Sequence, residues 1–242
     1  MAYTSWRGVI GVIKPTHRPG SLEEMIRLLP EGIGVIPTFL DVRRGTKDEF
    51  MESLDQYEKL IAELAEQKVD LILPEGAGPF TVMGYKKEAA LIRSWEKKYK
   101  TPMFGSAMNQ VSALKAMKVK NLIVGTYSTG VSEGEKIDYF LEAGIKVAGV
   151  VTVPVAGFDK VGQLSPHEVY ARIKAGAIKH PKADGILLRG SGWRTLGILE
   201  LLEQDLGIPT VHAVTARVWE VQKRLHVRQP VQGYGRILAE LP

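Results

Sequence analysis

Two segments of this chain, Lys68-Val-Asp-Leu-Ile-Leu-Pro-Glu-Gly-Ala-Gly78 and Lys182-Ala-Asp-Gly-Ile-Leu-Leu-Arg-Gly-Ser-Gly192, align without a gap and share Lys, Asp, Ile-Leu and both glycines. Weaker echoes keep the same order. Gly8-Val-Ile-Gly-Val-Ile13 resembles Asn121-Leu-Ile-Val-Gly125, and Thr101-Pro-Met-Phe104 resembles Ile208-Pro-Thr-Val211. Ordered repetition of this kind points to a duplicated unit with a pseudo-two-fold axis between halves of about 115 residues. It sets the expected division: a first α/β lobe over 1–115, a second over 116–225, and a tail over 226–242 packing back on both.

The type of unit follows from periodicity. Short β-branched runs at Gly8–Ile13, Gly34–Phe39, Leu71–Pro74, Asn121–Gly125, Lys146–Val153, Gly185–Leu188 and Thr210–His212 read as strands, and longer helical patterns separate them. That alternation predicts parallel sheets covered by helices. Thr46 with Glu49 and Ser132 with Glu135 fit capping boxes, and Ser165-Pro166 with Glu168 puts proline at the first helical position. Phe50, Leu54, Tyr57, Ile61 and Leu64 fall on one helical face, which predicts a single core-facing stripe.

Each Gly-x-Gly follows a buried strand and is expected to open a helix, at the sheet end where open α/β folds bind ligands. Free backbone N–H groups there suit an anion. If the halves face each other, Gly76, Ala77 and Gly78 form one wall of a cleft, and Gly190, Ser191 and Gly192 the other. Glu75 and Arg189 precede the two turns and would enter from opposite walls, either orienting a substrate or pairing with each other across the seam. Glu75 is the first candidate for general acid/base and His212, at the end of a strand, the second. Thr16 after the first strand, and Tyr127 and Ser128 in the stretch to Thr129 after its echo, reach the same edge as hydrogen-bond donors. Trp193 and Phe80 are candidates for an apolar side pocket or for core.

Other chemistries lack their residues. Both glycine turns miss the third glycine of a dinucleotide fingerprint, and the Walker pattern is absent. The histidines at 17, 167, 180, 212 and 226 are scattered without metal-ligand spacing, so no metal is expected. Ser191 has no Asp-His partner in a hydrolase order. The chain has no cysteine, which removes thiolate sites and thiol nucleophiles together. A net charge of +5 spread among acidic residues, with no aromatic-lined basic stripe, argues against nucleic acid. No apolar run reaches the roughly 18 residues of a membrane span, and the first residues lack a leader pattern, so a cytoplasmic protein is expected. Self-association as a homo-oligomer is left open.

Asp184-Gly-Ile-Leu-Leu-Arg-Gly-Ser-Gly-Trp-Arg-Thr-Leu196, then Leu206-Gly-Ile-Pro-Thr-Val211, Trp219 and Gly233-Tyr-Gly-Arg-Ile-Leu238, resemble the aspartate/glutamate racemase superfamily, in its branch of arylmalonate decarboxylase and maleate cis-trans isomerase. Gly76-Ala-Gly78, with Gly84 downstream, is similar to that decarboxylase's oxyanion loop. The resemblance implies an α/β fold of two pseudo-symmetric Rossmann-like lobes, each a mainly parallel sheet flanked by helices, with the active site between them. It also implies chemistry at one or two interface cysteines, whose places fall here on Gly76 and Gly190. The decarboxylase branch already carries glycine at the first, so only the second departure separates this chain from it.

With both thiols missing, two-base racemisation and isomerisation through a thioether are excluded. The expectation is a cofactor-independent decarboxylase- or isomerase-type enzyme that acts on a small carboxylate or dicarboxylate through an enolate held by backbone N–H groups. Each donor in such a pocket is worth about 3 kcal/mol of barrier. Glu75, Tyr127, Ser191 or water would move the proton. The alternatives are another enolate reaction (elimination, hydration or hydrolysis) or a non-catalytic carboxylate sensor.

Overall fold

The computed structural model describes residues 3–18, 20–128 and 130–242. In chain order its elements are β1 (Gly8–Lys14), α1 (Ser21–Leu28), β2 (Ile33–Phe39), α2 (Lys47–Glu52), α3 (Leu54–Glu66), β3 (Leu71–Pro74), α4 (Ala77–Met83), α5 (Tyr85–Tyr99), α6 (Ser106–Ala116), β4 (Asn121–Tyr127), α7 (Glu133–Glu142), β5 (Lys146–Val153), α8 (Pro166–Ile178), β6 (Gly185–Leu188), α9 (Leu199–Leu206), β7 (Thr210–His212), α10 (Ala213–Arg224) and α11 (Arg236–Glu240). Short 3₁₀ turns lie at Tyr3–Ser5, Phe158–Gln163 and Leu196–Ile198.

The strands form two parallel sheets, ordered β2-β1-β3 and β5-β4-β6-β7. A parallel bridge between Ile72 and Met103 gives the first sheet a rudimentary fourth position, so both sheets share one order. The repetition extends to single hydrogen bonds. Ile72 N–H donates to Pro102 O and Ile186 N–H to Pro209 O, each at 2.9 Å, while Glu75 N–H donates to Ile13 O and Arg189 N–H to Gly125 O, each at 2.8 Å. The echo in the sequence is therefore a repeat of backbone pairing, and it delivers Glu75 and Arg189 to matching sheet ends.

β3 and β6 are buried at every residue, the pattern of central parallel strands covered on both faces. One hydrophobic core runs through both sheets, from Ile10, Leu73 and Phe80 to Leu122, Leu187 and Trp219. α10 packs against α6 and α1, which ties the last helix of the second half to helices of the first. α11 folds back on α10, where Trp219 Nε1 donates to Pro242 O at 3.0 Å.

Local signals fare unevenly. Ser132 and Glu135 make a full capping box at α7. Thr46 caps α2 from its side chain, but the Glu49 carboxylate turns to the N–H groups of Arg43, Arg44 and Gly45. The expected stripe from Phe50 to Leu64 breaks at Ser53, whose hydroxyl bonds Phe50 O at 2.7 Å. Tyr57, Ile61 and Leu64 stay in the main core, while Phe50 joins a small separate cluster with Val42 and Val131. No helix among the described residues is long and apolar enough to cross a membrane.

Candidate active site

The carboxyl ends of the two sheets meet around a cleft of about 100 Å³, and both glycine turns line it. Gly76, Ala77 and Gly78 come from the turn after β3, and Gly190, Ser191 and Gly192 from the turn after β6. Thr16, Tyr127, Glu75 and Arg189 line it too. Gly76 (φ 115°) and Gly190 (φ 89°) sit in the left-handed region that side chains avoid. The first turn opens α4 directly. The second does not open a helix: from Gly192 the chain runs through bends to the 3₁₀ turn at Leu196 before α9 begins.

A polar network crosses the floor from one half to the other. Glu75, 3% exposed, forms an ion pair at 2.9 Å with Arg217 of α10, itself 2% exposed. The same carboxylate oxygen, Oε1, accepts from Ser191 Oγ at 3.0 Å and Ser21 Oγ at 3.3 Å. Arg217 Nη2 also donates to Ser191 Oγ (3.3 Å) and Ser106 Oγ (3.2 Å). Glu75 thus meets Arg217 and not Arg189. Arg189 reaches across separately from this network, donating through Nη2 to Thr81 Oγ1 and to Ala77 O (3.2 Å) of α4 in the first half, beside the rings of Tyr139 and Phe140. Burial lowers its pKa to about 10, and its Nη1 has no hydrogen-bond partner.

Tyr127 is packed edge-on against Trp193, with centroids 5.2 Å apart, and Trp193 Nε1 donates to Gly190 O at 3.0 Å. Burial first of all raises the pKa of this phenol, so Tyr127 enters the cleft as a proton-bearing donor. Tyr57 is its counterpart on the other side, donating to Glu75 O.

Other expected residues lie elsewhere. His212 does not line the cleft: it is fully buried at the start of α10, where Nδ1 accepts from Val214 N–H at 3.1 Å. Burial, then the nearby Arg217, pulls its pKa down to about 3, which suits a neutral cap and not a proton shuttle. Ser128 is exposed and outside the lining, and Thr129 lies outside the described residues. Phe80 and Trp193 are fully buried core; the apolar lining is instead Pro15, Phe50, Pro79, Val131 and Phe158.

Sequence reasoning also passed over several lining groups. Arg217 and Lys136 come from helices, and Arg18 from the loop after β1, where its guanidinium stacks 3.9 Å from the Phe158 ring and donates to Phe158 O. Gln110 of α6 is 1% exposed with both side-chain polar atoms unpartnered. Lys136 is the lining group with a strongly displaced ammonium: burial and then Arg189 lower its pKa to about 8. No cluster of three or more metal-ligating side chains occurs among the described residues.

Comparison with known proteins agrees with this architecture. The chain is 20% identical to a maleate isomerase of Geobacillus stearothermophilus, over 95% of this chain and 96% of the relative. Its fold superposes on the maleate isomerase Iso of Pseudomonas putida S16 with a TM-score of 0.89 at 18% identity, covering 97% of this chain and 99% of the other. A maleate cis-trans isomerase of Nocardia farcinica, solved with a covalently bound succinylcysteine intermediate, gives 0.88 at 18% identity over 96% and 98% of the two chains. Arylmalonate decarboxylase itself gives 0.80 at 19% identity over 96% and 99%. The arylmalonate decarboxylase family model matches residues 10–238, nearly the whole chain, and this chain belongs to that family.

Proposed function

We propose that this chain is a cofactor-independent enzyme acting on a small carboxylate or dicarboxylate, malonate-like or maleate-like, through an enolate-like intermediate, with no thiol taking part. The observation that carries this reading is the convergence of both glycine turns on one cleft whose floor is the Glu75–Ser191–Arg217 network. A substrate acid group lies against the N–H groups of the two turns, with Thr16 as a further donor. Negative charge that develops on its oxygens is stabilised there without reorganisation.

The proton moves through groups already aligned. Tyr127 lines the cleft, and burial keeps its phenol protonated, so it has a proton to donate. Ser191 is bonded to Glu75 at 3.0 Å, which offers a relay between the reacting carbon and a carboxylate. Arg189 and Arg217 hold the region positive. The relatives named above are maleate isomerases and a decarboxylase, and the same scaffold supports reactions of that class here.

Incubation with malonate and a panel of dicarboxylates in deuterated water, followed by NMR, tests the reading. Deuterium incorporation or product is expected from the wild type, slowed roughly a hundredfold in Glu75→Gln. The absence of both thiols favours a second reading, a carboxylate-binding protein without turnover. Ligand-induced stabilisation with no exchange and no product would select it.

A further inference from the structure

Lys136 stands on the buried face of α7 together with Tyr139 and Phe140, and lines the cleft. Its residue is 4% exposed. The ammonium donates to Val131 O at 2.7 Å, and no ion pair among the described residues includes it. The acids of its own first turn are engaged elsewhere: Glu135 with Lys47 at 2.7 Å and with Ser132, Glu133 with Thr152 Oγ1 at 2.8 Å. A lysine has three N–H donors, so two are left over.

Its neighbour adds to the excess. Arg189 is buried, lines the same cleft and has an unpartnered Nη1. The carboxyl that acts on Arg189, Glu88 of α5, has its own pKa lifted to about 7 by burial and offers only part of a negative charge at neutral pH. A buried cation without a counter-ion is costly, and two side by side are more so. An anion entering the cleft would relieve both.

Resting on the reading that the cleft takes a carboxylate, we propose that Lys136 and Arg189 form a second anion subsite that holds the distal acid group of a dicarboxylate and makes the site selective for diacids. An ammonium against that group also opposes its departure as CO2, because cleavage would disperse the charge the ammonium holds. The subsite therefore favours proton transfer or isomerisation that retains both acid groups.

The subsite has a proton signature. Around Lys136 stand Glu133, Glu135 and Tyr139 on its own helix, Arg189 after β6, and Tyr85 and Glu88 on α5. α4 brings no titratable side chain, and β5 carries only the exposed Lys146 at its start. Lys136 is the one of these poised near pH 8, and a carboxylate beside it raises its proton affinity. Diacid binding near pH 8 takes up protons from the buffer.

Calorimetric titration with malonate and maleate, and with acetate and crotonate as monoacid controls, tests the subsite at pH 7 and at pH 8 in two buffers of different ionisation enthalpy. The wild type is expected to prefer diacids and to take up protons with them at pH 8. Lys136→Met is expected to lose roughly tenfold or more in diacid affinity while monoacid affinity holds within about twofold, and to lose the proton uptake. Lys136→Arg keeps the charge and most of the preference, which separates this role from a structural one. Monoacid binding without diacid preference, or diacid affinity unchanged in Lys136→Met, overturns the subsite and leaves the cleft reading standing. Failure of the wild type to bind any of these acids overturns both.

Discussion

The Tyr127 hydroxyl occupies the space that a side chain at Gly190 would need: a Cβ built there would lie 2.6 Å from it. The same relation holds on the other wall, where a Cβ at Gly76 would lie 2.7 Å from the Tyr57 hydroxyl. The two places that correspond by resemblance to the family's thiols are thus closed by tyrosines as well as emptied by glycine. Reintroducing the thiol as Gly190→Cys should destabilise the fold by about 1–3 kcal/mol, through positive φ and the clash together, and should not restore thiol chemistry. Combining it with Tyr127→Ala should cost less than the two single changes added. Urea unfolding of the four proteins measures this.

The Glu75–Arg217 pair is the most deeply placed charge interaction in the cleft. Removing one member strands the other without water, so Arg217→Met should cost about 3–5 kcal/mol in the urea midpoint analysis. Adding Glu75→Gln to it should recover part of that loss, since the stranded charge is then gone. A smaller cost for the single change than for the pair would mean that the ion pair is not what holds this floor together.

The legible parts of this molecule are those where one physical demand acts alone. β3, β5, β6 and β7 occupy the residues their sequence implies, and in β3 and β6, buried at every residue, cover on both faces writes the strand as an unbroken apolar run. Both glycine turns were legible for the same reason: each follows such a run. Arg217 and Lys136 did carry a signal, since each falls on the apolar face of its helix, Lys136 with Tyr139 and Phe140, Arg217 with Ala213 and Val221. A single cation on such a face is easily taken for a solvated residue in the next register. Arg18 and Phe158 belong to a loop and a 3₁₀ turn, where no periodicity exists to read. His212 shows the opposite error, for a histidine at a strand end looks functional until its ring is found capping the next helix.

Glu88 sets a pH dependence of stability. Its carboxyl sits near 7 in the fold against an ordinary 4.5, raised by burial and only partly offset by bonds from Tyr139 and the Met108 N–H. A raised acid contributes stability that is fully present below 4.5 and is lost as pH climbs through about 7. The loss attributable to this group is about 3 kcal/mol between those limits. Glu88→Gln removes it, so the stability of the variant relative to the wild type should rise across that window and level off above it.

His212 acts in the other direction and at lower pH. Its imidazole is held neutral in the fold, near 3 against an ordinary 6.5, while the unfolded chain protonates it. A base with a lowered pKa makes the unfolded state the stronger proton binder, so stability falls as pH drops from 6.5 towards 3, by about 4 kcal/mol. Asparagine at this position can accept the Val214 N–H and keep the helix cap without titrating. His212→Asn should therefore show a shallower acid limb in urea midpoints between pH 6.5 and 4. An acid limb unchanged from the wild type would place the titrating group elsewhere.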